Sequence, residues 1–282
     1  MIEVKALTFR YQNASRPALS DVTFTIDDGE IFGFLGPSGA GKSTTQKILI
    51  GLLQGYEGTV KVFDRDLNRF GADYYEHVGV SFELPHHYLK LSARENLTYF
   101  AALYRGPTER PLDVLAAVGL DADADKRVGG FSKGMLNRLS IARALLHKPK
   151  LLFLDEPTSG LDPVSARRIK DLIRQKQAEG VTVFMTTHDM AAAEQLCDRV
   201  AFIVDGRISL IDQPRALNLK YGRSSVRVEY ERHGKPAEKE FRLTGLELNS
   251  DFLGTLPTVQ TIHSQESTLE QIFVEVTGQR LT

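Results

Sequence analysis

The first part of the chain alternates between strand-like patterns and turns around one helix. Apolar residues occupy every second position of Val22–Ile26, and a turn leads from there into the mostly apolar run Ile31–Leu35. Alternation predicts a strand with one buried face, whereas an uninterrupted apolar run of this length predicts a strand buried on both faces. A glycine-rich loop follows, and we expect a helix from Lys42 to Leu53 that Gly55 closes.

Residues 83–148 have the pattern of consecutive helices. Ser92 and Glu95 form the sequence of a capping box ahead of apolar residues at helical spacing. Pro111 suits the first position of a second helix, and Ser132 suits the N-cap of a third. This stretch is therefore predicted to be a helical insertion.

Residues 149–220 return to alternating strands and helices. Short apolar runs begin at Leu151 and Val181, and Asp162 is predicted to cap the helix between them. The pattern of residues 200–211, with a central Asp-Gly, predicts a hairpin.

The end of the chain changes character after Pro214. Val226–Tyr230 alternates like a strand, and His233–Pro236 is predicted to be a turn. Ser267 and Glu270 are predicted to form the capping box of a last amphipathic helix.

Composition argues against nucleic-acid-binding, disulfide-rich and membrane-spanning proteins. The chain of 282 residues has a formal net charge of −1, which argues against a general nucleic-acid surface. Its single cysteine, Cys197, excludes a disulfide framework and suits a reducing compartment. No apolar run reaches the roughly 18 residues of a membrane span, and the N-terminus does not have the pattern of a signal peptide. We therefore expect a soluble, cytosolic chain.

The loop after Ile31–Leu35 has the spacing G-x-x-x-x-G-K-S of a phosphate-binding loop. Its residues are Gly36, Pro37, Ser38, Gly39, Ala40, Gly41, Lys42, Ser43 and Thr44. Glycines let backbone N–H groups surround phosphates, the lysine reaches the β- and γ-phosphates, and the Ser43 hydroxyl can bind Mg²⁺. A strand precedes the loop and a helix follows it, which disfavours a plain glycine-rich turn. The sequence predicts a nucleoside triphosphate site.

These elements predict an α/β fold class. The expected architecture is a P-loop NTPase core with a mixed, largely parallel sheet and an antiparallel part, formed by residues 1–82 and 149–220. Residues 83–148 are predicted to form a helical subdomain, and residues 221–282 a small α+β C-terminal subdomain.

Two carboxylates follow the predicted strand that begins at Leu151. The C-terminal ends of parallel strands are where ligands bind, so Asp155 is predicted to be a Mg²⁺ partner. Glu156, expected on the other face of the strand, is predicted to act as the general base for water. His188 follows the next strand and is predicted to donate to the γ-phosphate, with a structural histidine as the plainer alternative. Asp162 is predicted to add a role in nucleotide binding to its capping role.

An ordered set of five motifs resembles the nucleotide-binding subunit of ATP-binding-cassette (ABC) transporters. The motifs are Gly36–Thr44, Phe131–Met135, Leu151–Glu156, Ser159–Asp162 and Thr187–Asp189. The phosphate loop alone would also admit kinases and GTPases, but the Ser-x-Gly element at Ser132 and Gly134 does not.

The resemblance implies a head-to-tail homodimer that encloses two ATP molecules. Ser132 and Gly134 of one subunit are then expected to contact the γ-phosphate held by Lys42 of the other. Tyr11 lies where the family stacks an aromatic ring on adenine. From the residues alone, Ser132 is an ordinary N-cap and Tyr11 a packing residue in an edge strand.

One position departs from the family pattern in the expected metal site. Glu83 stands where the family has a glutamine that touches Mg²⁺ and the attacking water. We expect Glu83 to join Ser43 and Asp155 as a metal ligand, with a solvated loop acid as the alternative.

The sequences Phe131–Met135 and Ser267–Phe273 resemble the exporter branch of the family. That branch implies a separate multi-spanning permease and a place on the cytoplasmic face of the membrane, with no nucleic-acid partner. The alternative is a soluble ABC ATPase, for example of the iron–sulfur assembly type. A regulatory protein that binds ATP without hydrolysing it is disfavoured because Glu156 and His188 are both present.

Overall fold

The structure is a computed structural model that describes residues 1–84, 86–222, 225–232, 235–265 and 267–279. The chain divides into two compact units between Asp212 and Gln213. The second unit thus begins a few residues before position 221, where the sequence pattern starts the accessory subdomain.

The first unit contains most of the secondary structure. Its strands are β1 (Ile2–Phe9), β2 (Leu19–Ile26), β3 (Ile31–Leu35), β4 (Glu57–Val62), β5 (Arg65–Asp66), β6 (Val78–Ser81), β7 (Leu151–Asp155), β8 (Thr182–Thr187), β9 (Arg199–Val204) and β10 (Arg207–Asp212). Its helices are α1 (Lys42–Leu49), α2 (Ala93–Ala101), α3 (Pro111–Ala117), α4 (Lys133–Leu145), α5 (Pro163–Ala178) and α6 (Met190–Leu196). Over the described ranges of the whole chain, every helix is too short or too polar to cross a bilayer.

A six-stranded sheet with the order β10-β9-β3-β8-β7-β6 forms the centre of this unit. Its strands run parallel except β10, which forms the predicted hairpin with β9. Every residue of β3, β7 and β8 is buried, as their apolar runs predict. Because these three strands are parallel neighbours, the loops at their C-terminal ends meet at one edge of the sheet.

A four-stranded antiparallel sheet, with the order β2-β1-β4-β5, shares a core with the central sheet. The ring of Phe24 stacks on Phe32 of β3 at a centroid distance of 5.5 Å. Strand β1 is an interior strand, so the expectation that Tyr11 belongs to an edge strand is wrong. Tyr11 lies in the turn after β1, which ends at Phe9.

Helix α1 ends at Leu49, four residues before the predicted end at Leu53. The backbone of Gly51 is left-handed, with φ of 84°, and the N–H of Leu52 returns to the carbonyl of Lys47 at 2.9 Å. This pattern is a Schellman motif, in which a left-handed glycine stops the helix at once. Gly51, not Gly55, is therefore the glycine that closes α1.

The helices predicted for the insertion are present, with the predicted caps. Ser92 and Glu95 form a capping box on α2, and Pro111 occupies the first turn of α3. Helix α4 then packs closely on β6, because a Cβ atom at Gly79 would lie 2.1 Å from the carbonyl oxygen of Ala144. Only glycine permits this approach, which fixes α4 against the central sheet.

The segment after β6 is attached to α4 by two hydrogen bonds. The Nε2 atom of His87 lies 3.1 Å from the carbonyl oxygen of Leu136, and the guanidinium of Arg143 donates to the carbonyl of His86 at 2.8 Å. Burial lowers the pKa of His87 to about 4, and the nearby Arg143 charge acts in the same direction. His87 is therefore neutral in the folded protein at neutral pH.

This shift predicts a pH dependence of folding. Since the unfolded chain binds a proton at His87 near its ordinary pKa of 6.5 and the folded chain does not, stability falls as the pH drops from there towards 4. Above the unfolded pKa the contribution is constant. His87→Gln retains a donor for Leu136 but does not titrate. We expect the Tm of the wild type to fall further than that of the variant between about pH 7 and about pH 5, by calorimetry. Equal falls would contradict this assignment.

The second unit is a small α+β arrangement. Its elements are α7 (Pro214–Tyr221), β11 (Ser225–Arg232), β12 (Lys235–Arg242), α8 (Ser250–Thr255), β13 (Val259–Gln265) and α9 (Leu269–Thr277). The strands form an antiparallel sheet with the order β12-β11-β13, and Val226, Val228 and Phe241 form its core.

The sequence predicts a turn and a capping box in this unit. The predicted turn at His233–Pro236 includes His233 and Gly234, which lie outside the described residues. The capping box of α9 is formed by Thr268 and Gln271, one residue later than predicted. Ser267-x-x-Glu270 and Thr268-x-x-Gln271 both fit the capping pattern, and the later start leaves Leu269 and Ile272 on the buried face.

Candidate functional site

The loop between β3 and α1 requires its glycines for backbone reasons. A Cβ atom at Gly36 would lie 2.1 Å from the carbonyl oxygen of Ile203. Gly39 and Gly41 have φ of 78° and 110°, in the region that favours glycine. Ala40 between them is buried, with 3 % exposure, and anchors the loop. The loop therefore turns tightly in front of the first residue of α1, Lys42.

The Lys42 ammonium lies inside this loop. Its Nζ atom donates to the carbonyl of Gly36 at 2.6 Å and to that of Pro37 at 3.0 Å. Burial lowers the pKa of Lys42, and the carboxylates of Glu156, Asp155 and Glu83 oppose that shift. The loop thus positions one cation beside three carboxylates.

Asp155 ends the buried strand β7. Its carboxylate accepts a hydrogen bond from the Thr186 hydroxyl of the neighbouring strand β8. Burial raises the pKa of Asp155, and the Glu83 charge raises it further, while Thr186 and Lys42 act in the opposite direction. A buried carboxylate of this kind is stabilised in its charged form by a cation.

Glu156 is held in place by three donors. The Thr187 hydroxyl donates to Oε2 at 2.8 Å, and the His188 backbone N–H donates to Oε1 at 3.0 Å. The Nδ1 atom of His188 lies 2.6 Å from the same Oε1. Strand alternation predicts opposite faces for Asp155 and Glu156, but both line one cleft. The reason is that β7 ends at Asp155 and Glu156 has a left-handed φ of 49°.

The contact between Nδ1 of His188 and Oε1 of Glu156 favours one tautomer of the imidazole. An ionised carboxylate only accepts hydrogen bonds, so Nδ1 of His188 carries a proton that it donates to Glu156. The opposite nitrogen, Nε2, is then an acceptor in the neutral ring and a donor only in the charged ring. The side chain of His188 is 62 % exposed, so Nε2 can reach a ligand.

A cleft of about 370 Å³ brings most of the predicted site together. Its lining consists of Pro37, Ser38, Gly39, Gly41, Lys42, Ser43, Thr44, Glu83, Asp155, Glu156 and His188. Tyr11 stands beside it, because its hydroxyl lies 3.2 Å from Thr44 Oγ1 and its ring packs edge-on against Phe9.

Three further predicted residues lie at the N-terminal ends of helices. Ser132 caps α4 through a bond from the Met135 N–H to its Oγ at 3.2 Å, and Gly134 lies in the first turn. Asp162 caps α5, accepting from the N–H groups of Val164 and Ser165 at 3.0 Å. In the described part of the chain, Ser132, Gly134 and Asp162 are not among the residues that line the cleft.

Sequence reasoning missed the two threonines that orient the carboxylates. Thr186 and Thr187 end β8, immediately before His188. The signal was available, since two hydroxyl residues interrupt an apolar strand at the edge where Asp155 and Glu156 also lie. Parallel pairing of Asp155 with Thr186 then places a donor beside each carboxylate.

Comparisons with known proteins identify the family of the chain. A family model described as ABC transporter matches residues 19–159, from β2 to the segment after Glu156. The fluoroquinolones export ATP-binding protein of Mycobacterium tuberculosis H37Rv is 56 % identical over 285 residues, covering 100 % of this chain and 95 % of that protein. The chain belongs to the ABC transporter family of ATP-binding proteins.

A second relative and a second family model also match this ABC protein. The bacitracin transport ATP-binding protein BcrA of Bacillus licheniformis is 33 % identical over 301 residues, covering 99 % of this chain and 97 % of that one. A family model described as fluoroquinolone efflux ABC transporter C-terminal domain matches residues 224–266.

Solved structures of ABC cassettes have the same fold. A dimeric post-hydrolysis state of the cassette MJ0796, bound to ADP and Pi, superimposes with a TM-score of 0.69 at 28 % identity. The superposition covers 76 % of this chain and 98 % of the MJ0796 chain. This ABC protein is an ATP-binding, ATP-hydrolysing subunit with the predicted α/β P-loop fold.

Proposed function

We propose that this ABC ATPase drives the export of fluoroquinolone-type compounds through a separate membrane permease. The observation that carries the proposal is the 56 % identity with the fluoroquinolones export protein, which extends over the full chain. The match of residues 224–266 to a C-terminal domain of fluoroquinolone efflux transporters supports it independently of the catalytic core. The alternative of a soluble ABC ATPase without a membrane partner is not favoured by these relatives.

The cleft fits Mg²⁺ together with a triphosphate. The Ser43 hydroxyl and the carboxylates of Asp155 and Glu83 line it, and such oxygen groups are the ligands that Mg²⁺ prefers. Burial leaves the Asp155 charge poorly solvated, so a cation stabilises it. When bound, Mg²⁺ would supply positive charge that stabilises the charge developing on the phosphates.

The carboxylate of Glu156 is suited to orient the water that attacks the γ-phosphorus. As the new P–O bond forms, the water proton passes to Glu156, and the electron pair of the broken bond stays on the β-phosphate oxygen. Lys42 exchanges its two carbonyl partners for phosphate oxygens and neutralises charge there. His188 holds Glu156 through Nδ1 and, when doubly protonated, donates through Nε2 to the γ-phosphate.

A head-to-tail homodimer would complete the site. Ser132 is exposed at the positive end of α4, with Gly134 beside it in the first turn. Helix N-termini stabilise phosphate charge, so this end can serve the ATP held by Lys42 of the partner subunit. In this proposal Tyr11 stacks on adenine, and Asp162 adds a role in nucleotide binding to its capping of α5.

Exposed apolar side chains suit the membrane partner. They are Leu84, Tyr88, Leu89, Tyr99 and Leu103, which lie within 20 residues of sequence and are each at least 47 % exposed. Tyr88 and Tyr99 are in edge-to-face contact at 5.0 Å, which joins the loop after Glu83 to helix α2. Exposed apolar patches mark interaction sites, so we place the permease here and the ATPase on the cytoplasmic face of the membrane.

Replacing Glu83 tests its role in this mechanism. Glu83→Gln retains an oxygen ligand and removes one of three neighbouring negative charges. We expect kcat for ATP hydrolysis to stay within roughly tenfold of the wild type, about 1.4 kcal/mol, in a phosphate-release assay at saturating Mg–ATP. Glu57→Gln, at an exposed position of β4, is the control. Complete loss of activity would show that the carboxylate has a specific function.

The export proposal is tested in cells of the source organism. Chromosomal Lys42→Ala should raise the accumulation of a fluorescent fluoroquinolone, whereas Lys47→Ala, at an exposed position of the same helix, should not. Equal accumulation in the Lys42→Ala strain and the wild type would contradict fluoroquinolone export.

A further inference from the structure

The loop that follows Glu156 is attached to the first half of helix α4. The side-chain amide of Asn137 donates through Nδ2 to the carbonyl of Ser159 at 3.1 Å and to that of Pro157 at 3.4 Å. Asn137 lies on α4 with only 6 % exposure. One buried side chain thus holds two backbone carbonyls of the three residues that follow the predicted general base.

The same loop packs on the start of α4 at a second point. A Cβ atom at Gly134 would lie 3.1 Å from the carbonyl oxygen of Gly160. The methylene groups of Lys133 cover Gly160, with Cδ 3.5 Å from the position of a Cβ there. The first turn of α4 and residues 157–160 therefore form one contact surface.

Glu156 needs such support because its backbone is strained. Its φ of 49° lies in the left-handed region, which a non-glycine residue adopts only when its surroundings hold it there. The side chain is fixed by Thr187 and His188, but the peptide that leaves Glu156 is fixed at Pro157 and Ser159 by Asn137. Asparagine is a weaker helix former than leucine in a helix interior, so helix propensity does not account for Asn137 at this position. The hydrogen bonds of its amide to the loop do.

We infer that Asn137 is a positioning residue for Glu156, which connects this carboxylate to the helix end bearing Ser132. The inference rests on the proposed function, in which Glu156 activates water and Ser132 contacts the partner's ATP. Asn137 thus fixes the position of the Glu156 carboxylate relative to the N-terminal end of α4, where Ser132 lies in the same subunit.

The test compares four variants of the full chain in ATP hydrolysis. Asn137→Leu keeps the approximate size and is the better helix former, but it removes both donors, and Asn137→Gln retains an amide. Gln177→Leu is the matched control, because its Nε2 donates to the Gly29 carbonyl at 3.0 Å, before β3, at the other end of the sheet. Glu156→Gln reports on the general base itself.

We expect Asn137→Leu to lower kcat about tenfold, with the KM for ATP unchanged within about twofold. Asn137→Gln should recover most of the activity, and Gln177→Leu should retain it although it also loses amide hydrogen bonds, to the Gly29 carbonyl and the Asp198 carboxylate. A kcat of Asn137→Leu within about twofold of the wild type would overturn the inference, as would a glutamine variant no better than the leucine variant. If Glu156→Gln hydrolyses ATP at the wild-type rate, the proposed mechanism fails and the inference fails with it. If Glu156→Gln is inactive while Asn137→Leu hydrolyses ATP at the wild-type rate, the inference alone fails.

Discussion

Replacing Glu156 by glutamine is expected to lower kcat for ATP hydrolysis by about 100- to 10,000-fold. The amide keeps the shape of the side chain but cannot take the proton of the attacking water. Thr187 and His188 hold the Glu156 carboxylate by three contacts of 2.6–3.0 Å. The substitution therefore removes a base that the folded protein already holds in position. ATP affinity should be retained, because Lys42 and the loop glycines are unchanged.

This result is measured by phosphate release, with nucleotide binding followed by a fluorescent ATP analogue. Size-exclusion chromatography of Glu156→Gln with ATP–Mg²⁺ should also show a dimer that the wild type passes through only briefly. Glu57→Gln is the control for the loss of a carboxylate elsewhere on the core. A Glu156→Gln variant with more than about a tenth of wild-type activity would contradict the assigned general base.

Replacing Lys42 by alanine is expected to reduce kcat by about 100- to 1,000-fold and to weaken ATP binding as well. Lys42 is the cation beside Glu83, Asp155 and Glu156, and these carboxylates repel a triphosphate once it is removed. The effect should thus appear in both kcat and affinity, unlike that of Glu156→Gln.

The matched control is Lys47→Ala, which removes an exposed lysine from the same helix α1. Titration with the fluorescent analogue and steady-state hydrolysis should both be normal in Lys47→Ala. If Lys42→Ala bound ATP as tightly as the wild type, the phosphate-contacting role of Lys42 would be wrong.

Much of the fold and site could be predicted because the signals are local. The loop Gly36–Thr44 combines residue types that the backbone geometry requires, as Gly36 and Gly41 show. The caps at Ser92 and Ser132 use a side chain and an N–H three residues apart, which the sequence records directly. Burial on both faces of β7 and β8 likewise follows from their apolar runs.

Other features depend on contacts that sequence spacing does not encode. The placement of Glu156 beside Asp155 follows from a left-handed residue past the strand end, where alternation no longer applies. The end of α1 was decided by Gly51 rather than Gly55, although both glycines have left-handed backbones. Asn137 could not be recognised at all, because its partners are backbone carbonyls about 20 residues away.

Capture of the permease tests the central claim most directly. Glu156→Gln, tagged and expressed in the source organism, is purified with ATP–Mg²⁺ from detergent-solubilised membranes, and the co-purified proteins are identified by mass spectrometry. Lys42→Ala is processed in parallel as a variant that cannot hold the nucleotide-bound state. The account predicts a multi-spanning membrane protein in stoichiometric amount with Glu156→Gln. Soluble partners alone, with none of the chain at the membrane, would contradict it.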